Sequence, residues 1–202
     1  MAIKLGVLIS GSGSNLQALI DNIEAGTLDA TIEVVISSRA DAYGLKRAEA
    51  AGIQTLTLSR ELYDDPFTAD EVIASTLAAR EVDYVIMAGY MRMVHDPILR
   101  AFPNRVVNLH PALLPSFKGA HGIQEAFDYG VKLTGITVHF ADDRYDCGPI
   151  IAQRAVAIEE GMTVEQLEER IHAVEHELYP EVIQWLAEGR VSVDEHGHVH
   201  VA

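Results

Sequence analysis

The chain of 202 residues is poor in cysteine and in positive charge. Its single cysteine excludes both a disulfide framework and a zinc site built from cysteines. Fifteen basic residues stand against 30 acidic ones, and the net charge of −15 disfavours nucleic acid as a partner. A small anionic ligand is still compatible with this charge, because backbone N–H groups can hold an anion locally.

Long apolar runs are also missing. The first apolar stretch, Ile3–Ile9, is short and ends in glycines, unlike a signal peptide. No run approaches the roughly 18 apolar residues of a membrane span. We therefore expect a cytoplasmic, soluble protein without a membrane partner, folded as a single domain over residues 1–202.

Short apolar segments alternate with stretches of helical periodicity. Strands are predicted at residues 3–9, 32–37, 55–58, 84–88, 105–109, 134–140 and 150–156. The last of these is predicted to be antiparallel, because its link is too short for a crossover helix. A long C-terminal helix follows the capping box Thr163-Val164-Glu165-Gln166. The pattern predicts an α/β fold with a mostly parallel sheet and helices on both faces.

Some local features carry further predictions. Asp41 is predicted to cap a helix. The polar stretch 59–68, which contains Pro66, is predicted to be a loop before a helix from about residue 70 to 80. Residues 191–202 alternate around a glycine and predict a terminal hairpin, with His196, His198 and His200 on one side. We expect these histidines to be solvated and no metal to bind.

Asn108 and His110 lie two residues apart at the end of a strand, so their side chains project to the same face. Pro111 and Pro115 then stiffen the following loop. Ligands bind at the carboxyl ends of strands in open α/β sheets. There an amide can donate to an oxyanion and an imidazole can carry a proton. Two polar residues alone also fit a buried strand end with a capped turn.

The first predicted strand runs into Ser10-Gly11-Ser12-Gly13-Ser14-Asn15 and then into a helix. This order presents N–H groups and a helix N-terminus to an anion. The P-loop pattern is absent, and Leu16 stands where a dinucleotide-binding turn has its third glycine. A phosphate monoester therefore fits better than ATP or a dinucleotide. The alternative is a tight turn that needs glycine for its dihedral angles.

The glycine-rich turn with Leu16 and two further segments resemble the motifs of a known family. The two further segments are Asn108-Leu109-His110-Pro111-Ala112-Leu113-Leu114-Pro115 and Asp146-Cys147-Gly148-Pro149-Ile150. In this order they resemble the phosphoribosylglycinamide formyltransferases, a folate-dependent formyltransferase family of purine biosynthesis. The resemblance covers essentially the whole chain. It implies a Rossmann-like sheet and formyl transfer from 10-formyltetrahydrofolate to the amine of glycinamide ribonucleotide, without a metal.

The resemblance also implies roles for individual residues. The catalytic set would be Asn108, His110 and Asp146. The ribonucleotide phosphate would be held by Gly13, Ser14 and Asn15, and the ribose by Glu175, which lies at the edge of the apolar stripe of the last helix. The folate pocket would be formed by Met91, Arg92, Met93, Val94, Asn108, Ala141 and Asp146.

The same resemblance suggests a division of the chain. An N-terminal half, about residues 1–100, would bind phosphate, and a catalytic half would span about residues 101–202. A monomer or homodimer is expected. Relatives often carry an arginine near the folate where this chain has Pro66, so the glutamate tail of the folate is expected to be held differently or more weakly.

The residues suggest a mechanism. Attack by the amine creates an anionic oxygen, to which Asn108 can donate and which protonated His110 can stabilise. We expect Asp146 to raise the pKa of His110 above its usual value of ~6.5. Covalent catalysis is the weaker interpretation, because Ser116 has no adjacent base and Cys147 no evident activator in the sequence.

Three alternatives remain. A 10-formyltetrahydrofolate hydrolase would use water as the acceptor, but usually carries an extra N-terminal domain for which we expect no room. A formyltransferase acting on charged tRNA would need a further domain and a basic surface. A non-catalytic phosphate-binding protein would explain the glycine turn but would leave Asn108, His110 and Asp146 without a shared purpose.

Overall fold

The computed structural model describes residues 2–202. The strands are β1 (Ile3–Ile9), β2 (Ala30–Ser37), β3 (Thr55–Thr57), β4 (Tyr84–Met87), β5 (Val106–His110), β6 (Leu133–Phe140), β7 (Ile150–Ala157), β8 (Val191–Val193) and β9 (Val199–Val201). The helices are α1 (Ser14–Glu24), α2 (Tyr43–Ala50), α3 (Pro66–Ala78), α4 (Asp96–Ala101), α5 (Gly122–Tyr129) and α6 (Val164–Ala187). A short 3₁₀ helix, Arg60–Asp64, precedes α3.

The central sheet has seven strands in the order β3-β2-β1-β4-β5-β6-β7. Strands β1 to β5 are parallel, whereas β6 is antiparallel to both β5 and β7. The predicted mostly parallel, Rossmann-like sheet is thus confirmed. The chain builds outward from β1 in one direction and from β4 in the other, so a crevice opens between the carboxyl ends of these two strands.

Helices cover both faces of the sheet, as predicted. Neighbouring residues of β2 point to opposite faces: Val35 belongs to one apolar cluster and Ile36 to the other. The first cluster contains residues of α1, α2 and α6, and the second contains residues of α3 and α4. Because both faces are buried, the inner strands β1 and β4 are apolar along nearly their whole length, whereas β7 at the edge of the sheet alternates in burial.

Two local predictions around the third helix and Asp41 were wrong, and α4 was missed. Helix α3 begins at Pro66, not near residue 70, because Pro66 occupies the first helical turn and the side chain of Asp65 caps it through Phe67 N–H at 3.1 Å. Asp41 caps no helix and pairs instead with Arg39 at 2.7 Å, while α2 begins after Ala42.

The terminal hairpin of β8 and β9 is confirmed. Its histidines lie around Asp194, whose carboxylate is 3.0 Å from His200 Nε2 and 3.6 Å from His198 Nδ1. Hydrogen bonds from the His200 ring and from the backbone N–H groups of His198 and His196 lower the pKa of Asp194 to about 2. Between residues 2 and 202, no group of three or more histidine, cysteine or acidic side chains is arranged to hold a metal ion. In the same range, no helix is both long and apolar enough to cross a membrane.

Helix α6 begins at the predicted capping box and continues through Pro180. Its Tyr179 is fully buried, and its hydroxyl lies 3.1 Å from Met87 O and 3.0 Å from Val107 O. These carbonyls lie at the end of β4 and within β5. A single phenol therefore ties the C-terminal helix to β4, whose end flanks the crevice, and to its neighbour β5.

Replacing Tyr179 with Phe should lower the free energy of unfolding by about 1–2 kcal/mol, because two buried carbonyls lose their donor while the apolar packing is kept. Urea denaturation followed by circular dichroism measures the change. Tyr129→Phe is the matched control, since that side chain is 80% exposed and should change stability little. Equal stability of both variants with the parent would contradict a structural role for the Tyr179 hydroxyl.

Candidate active site

The candidate catalytic residues converge on the carboxylate of Asp146. Its Oδ2 is 3.4 Å from His110 Nδ1, and its Oδ1 is 3.5 Å from Asn108 Nδ2. Gly119 N–H donates to Oδ2 at 2.8 Å. The side chains of His110 and Asp146 are only 5% and 7% exposed. The fold therefore brings together two residues of β5 and one residue that is 36 positions further along the chain than His110.

His139 is a fourth member of this cluster that the sequence analysis missed. Strand β6 places it directly opposite Asn108, and its Nε2 lies 3.1 Å from Asn108 Nδ2 and 3.6 Å from Asp146 Oδ1. Its Nδ1 lies 2.9 Å from Phe140 O. Because a carbonyl can only accept, that nitrogen carries the proton, and Nε2 is free to accept from Asn108. The sequence signal that could have identified His139 is a polar residue near the end of an apolar strand.

The expected rise in the pKa of His110 is contradicted. Burial is the strongest influence and lowers the pKa below its usual value, outweighing the opposite effect of Asp146. His110 Nε2 lies 2.7 Å from Phe117 O, so this nitrogen carries a proton already in the neutral ring. The Phe117 contact, like Asp146, raises the pKa, so it is burial that makes the uncharged imidazole more stable here than the sequence suggested.

Asp146 remains ionised despite its burial. Burial alone would raise its pKa, but the nearby His139 ring, the hydrogen bond from Gly119 N–H and the nearby His110 ring lower the pKa below the usual value. Asp146 adopts a left-handed backbone conformation, with φ of 51°, and so does Phe117 in the facing loop. Non-glycine residues in this region cost free energy, and they are often found where a side chain must be aimed into a site.

The glycine-rich turn has the form of an anion site. Gly13 caps α1 with φ of 71°, and no side chain caps the helix, so the N–H groups of its first turn are left for a ligand. A Cβ at Gly13 would lie 2.6 Å from Gly44 Cα, so packing as well as backbone conformation requires glycine here. Asn15 Oδ1 is buried without a hydrogen-bond partner.

Glu175 lies next to this turn. Its Oε2 accepts from Asn15 Nδ2 at 3.0 Å and lies 3.0 Å from His172 Nδ1, and the residue is only 4% exposed. The hydrogen bond to Glu175 raises the pKa of His172. The two regions suggested for the ribonucleotide, the turn and Glu175, are therefore in direct contact.

The residues suggested for the folate pocket occupy the loop after β4 and the end of β6. Met91 is 65% exposed, whereas Val94 is buried in the apolar cluster against which Ala141 packs. Arg92 lies over the ring of Tyr63 at 3.6 Å. The loop thus presents an exposed apolar side chain and a stacked cation beside the crevice.

A cavity of about 290 Å³ lies at the Asp146 loop. It is lined by Leu114, Pro115, Lys118, Arg144, Asp146, Cys147, Gly148 and Ile150. Lys118 Nζ lies 2.8 Å from Cys147 Sγ, so the thiol has a basic neighbour that the sequence did not suggest.

Comparisons with known proteins extend over nearly the whole chain. The family model for formyl transferases matches residues 3–183. The phosphoribosylglycinamide formyltransferase of Bacillus subtilis is 39% identical over 91% of this chain and 94% of its own length. The crystal structure of glycinamide ribonucleotide transformylase 1 from Symbiobacterium toebii superposes with a TM-score of 0.95 at 48% identity, covering 99% of this chain and 94% of that one.

The chain also matches longer proteins. It is 41% identical to the human trifunctional purine biosynthetic protein adenosine-3 over 97% of its own residues, but spans only 19% of that protein. The trifunctional relatives from cattle and chicken are matched over a similar fifth of their length. Because the family model covers most of the chain and full-length relatives are similar throughout, the chain belongs to the formyl transferase family.

Proposed function

We propose that the chain is a phosphoribosylglycinamide formyltransferase, which transfers the formyl group of 10-formyltetrahydrofolate to the amine of glycinamide ribonucleotide in purine biosynthesis. The observation that supports this most strongly is the buried cluster of Asn108, His110 and Asp146 in a member of the formyl transferase family. The names of its full-length relatives supply the substrate.

Each substrate would be held by residues from both halves of the chain. In the N-terminal half, Gly13, Ser14 and Asn15 would bind the phosphate through the first turn of α1. Glu175, hydrogen-bonded to Asn15, would bind the ribose and direct the glycinamide amine towards β5. The Met91–Val94 loop, with Ala141, Asn108 and Asp146, would hold the folate. Both substrates would then meet at the crevice between β1 and β4.

The reaction is a formyl transfer between two nitrogens. The neutral amine attacks the formyl carbon, and the carbonyl oxygen becomes an oxyanion in a tetrahedral intermediate. A proton then passes from the attacking nitrogen to the folate nitrogen, and the bond between the formyl carbon and that nitrogen breaks. No covalent bond to the enzyme is needed.

Asn108 would stabilise the oxyanion. Its amide nitrogen lies 3.1 Å from His139 Nε2 and 3.5 Å from Asp146 Oδ1. Because the longer contact is the weaker one, the N–H directed at Asp146 is more easily turned towards the substrate. His110 would stabilise the same oxygen or relay the proton, with Asp146 opposing the effect of burial on its pKa. His139 would orient the Asn108 amide.

A direct assay separates this function from its alternatives. The enzyme should release little formyl from 10-formyltetrahydrofolate alone and should transfer it rapidly once glycinamide ribonucleotide is added. Release that is equally fast without the ribonucleotide would indicate a hydrolase. Binding of the ribonucleotide without any release would indicate a non-catalytic protein.

The phosphate site can be tested by adding a negative charge beside it. Ser12→Asp should raise KM for glycinamide ribonucleotide roughly tenfold, because a carboxylate at the N-terminus of α1 repels the phosphate. Ser12→Asn is the matched control, because asparagine has nearly the same shape as aspartate but carries no charge. Steady-state kinetics measures both, and KM for the folate should not move. Ser12 is exposed, so neither variant should suffer the steric clash that any side chain at Gly13 would meet.

Asn108→Leu removes the proposed oxyanion donor with little change in volume. By comparison with other such donors, kcat should fall roughly 10²–10³-fold while both substrates still bind. Steady-state kinetics gives kcat, and isothermal titration gives the affinity of the variant for glycinamide ribonucleotide. A folded variant with near-parental kcat would mean that Asn108 only joins β5 to His139.

Asp146→Asn keeps the shape of the side chain and removes its charge. Asp146 raises the pKa of His110, so the variant should lower that pKa further, and less imidazolium should be present at any pH near the transition. NMR titration of the His110 ring measures the shift, and activity should fall by roughly 10²–10⁴-fold.

Asp143→Asn is the control for this experiment, because Asp143 lies in the same loop with its side chain 78% exposed. It should leave both the pKa of His110 and the activity unchanged. If activity collapses in Asp146→Asn while the pKa of His110 stays constant, Asp146 acts through another group and its electrostatic role is wrong.

A further inference from the structure

The loop after β4 contains Met91 to Val94. Its start is hydrogen-bonded to a buried side chain that directly follows β1. Met91 N–H donates to Ser10 Oγ at 2.9 Å, and that oxygen is also 2.6 Å from Ser38 Oγ. Ser10 is only 4% exposed. The Ser10 N–H donates in turn to Gly89 O at 3.1 Å. The first residues of the loop are therefore fixed relative to the sheet.

The same loop is attached at its end to α3. Asp70 Oδ2 accepts from the backbone N–H of His95 at 2.6 Å and lies 3.0 Å from His95 Nδ1. Asp70 is only 2% exposed. One carboxylate oxygen thus holds both the main chain and the ring of the residue that follows Val94.

Aromatic contacts reinforce this attachment. The hydroxyls of Tyr63 and Tyr90 lie 3.1 Å apart, and the guanidinium of Arg92 stacks on Tyr63. The ring of Phe67 packs on His95 with a centroid distance of 4.9 Å. Three residues therefore contact the loop: Tyr63 of the 3₁₀ helix that precedes α3, and Phe67 and Asp70 of α3. We call these three residues the α3 clamp.

The buried carboxylate of the clamp is costly for the fold. Burial is the strongest influence on Asp70 and raises its pKa, while His95 and Arg92 act in the opposite direction. The phenols of Tyr63 and Tyr90 also face this group. An apolar residue would pack on this face of α3 without that cost. What the carboxylate adds is a directional bond that fixes the main chain of the loop.

We propose that Asp70 and His95 are positioning residues for the folate co-substrate, holding the Met91–Val94 loop in the shape that receives its flat ring system. The proposal rests on the proposed function, because it assigns the loop to the folate. Neither residue is in hydrogen-bond contact with Asn108, His110 or Asp146. Their loss should weaken folate binding selectively, leaving the chemical step and the ribonucleotide site intact.

The test compares KM for the two substrates in Asp70→Asn, His95→Ala and the double variant. Each single variant should raise KM for 10-formyltetrahydrofolate about tenfold, the equivalent of one lost charge-assisted hydrogen bond. KM for glycinamide ribonucleotide and kcat should change less than about twofold. The double variant should be no worse than the worse single one, because the contact between the Asp70 carboxylate and the His95 ring is already lost in each single variant.

Glu71→Gln is the matched control, since Glu71 is the exposed neighbour of Asp70 on α3 and should leave both KM values unchanged. Thermal unfolding is recorded for every variant. An unchanged folate KM in a folded Asp70→Asn variant overturns the proposal. So does an equal rise in both KM values with a lower Tm, which would show that the contact only stabilises the fold.

A second measurement separates this proposal from the proposed function. Isothermal titration with 5-formyltetrahydrofolate, which carries no formyl group on the reacting nitrogen, measures folate affinity without turnover. If the parent protein binds this compound but transfers no formyl group from 10-formyltetrahydrofolate to glycinamide ribonucleotide, the proposed function fails. About tenfold weaker binding of 5-formyltetrahydrofolate in Asp70→Asn then still supports the positioning role. If the parent protein does not bind it, the folate assignment of the loop and the positioning role both fail.

Discussion

The candidate site depends on one buried carboxylate. An ionised group that has left water must find hydrogen bonds or opposite charge, otherwise it takes up a proton or moves to the surface. Asp146 finds them in Gly119 N–H, in Asn108 and near the rings of His110 and His139. Because these partners come from β5, β6 and the loop before α5, satisfying this one charge fixes three parts of the chain relative to each other.

Helix α6 connects this cluster to the glycine turn. Near its middle, Glu175 holds Asn15, and one turn later Tyr179 holds the carbonyls of Met87 and Val107. A rigid helix therefore sets the spacing between the turn after β1 and the strand that carries Asn108. The transfer of a group between two bound molecules needs such a fixed distance, because misplacing the reacting atoms by about 1 Å can cost 10²-fold in rate.

Much of this arrangement was predictable from local sequence. The apolar runs predict the strands, the period-two spacing places Asn108 and His110 on one face, and Thr163 and Gln166 predict the start of α6. These signals depend on residues that are close in the sequence, so contacts between distant parts of the chain do not override them. The start of α3 was mispredicted because Pro66 reads as a breaker in isolation, although the first turn of a helix is where proline fits best.

The missed features depend on contacts across the chain. His139 joins the site only because β6 pairs with β5 in a register that sets it opposite Asn108. The direction of the pKa shift of His110 depends on how deeply the ring is buried, and the sequence revealed only the carboxylate. Charge and hydrogen-bonding capacity can be read from residue types, whereas desolvation is a property of the finished fold.

The charge of the whole protein also has to be reconciled with the proposed binding of an anionic substrate. At a net charge of −15, the distant field repels a phosphate. Physiological salt screens exposed charges beyond about 8 Å, so only groups near the turn decide its affinity. There the uncapped N–H groups of α1 face the site, and Arg47 lies behind it with its Nε 3.0 Å from Ser12 O. Local dipoles and one nearby cation can therefore hold an anion on an acidic protein, provided that no carboxylate is introduced into the turn.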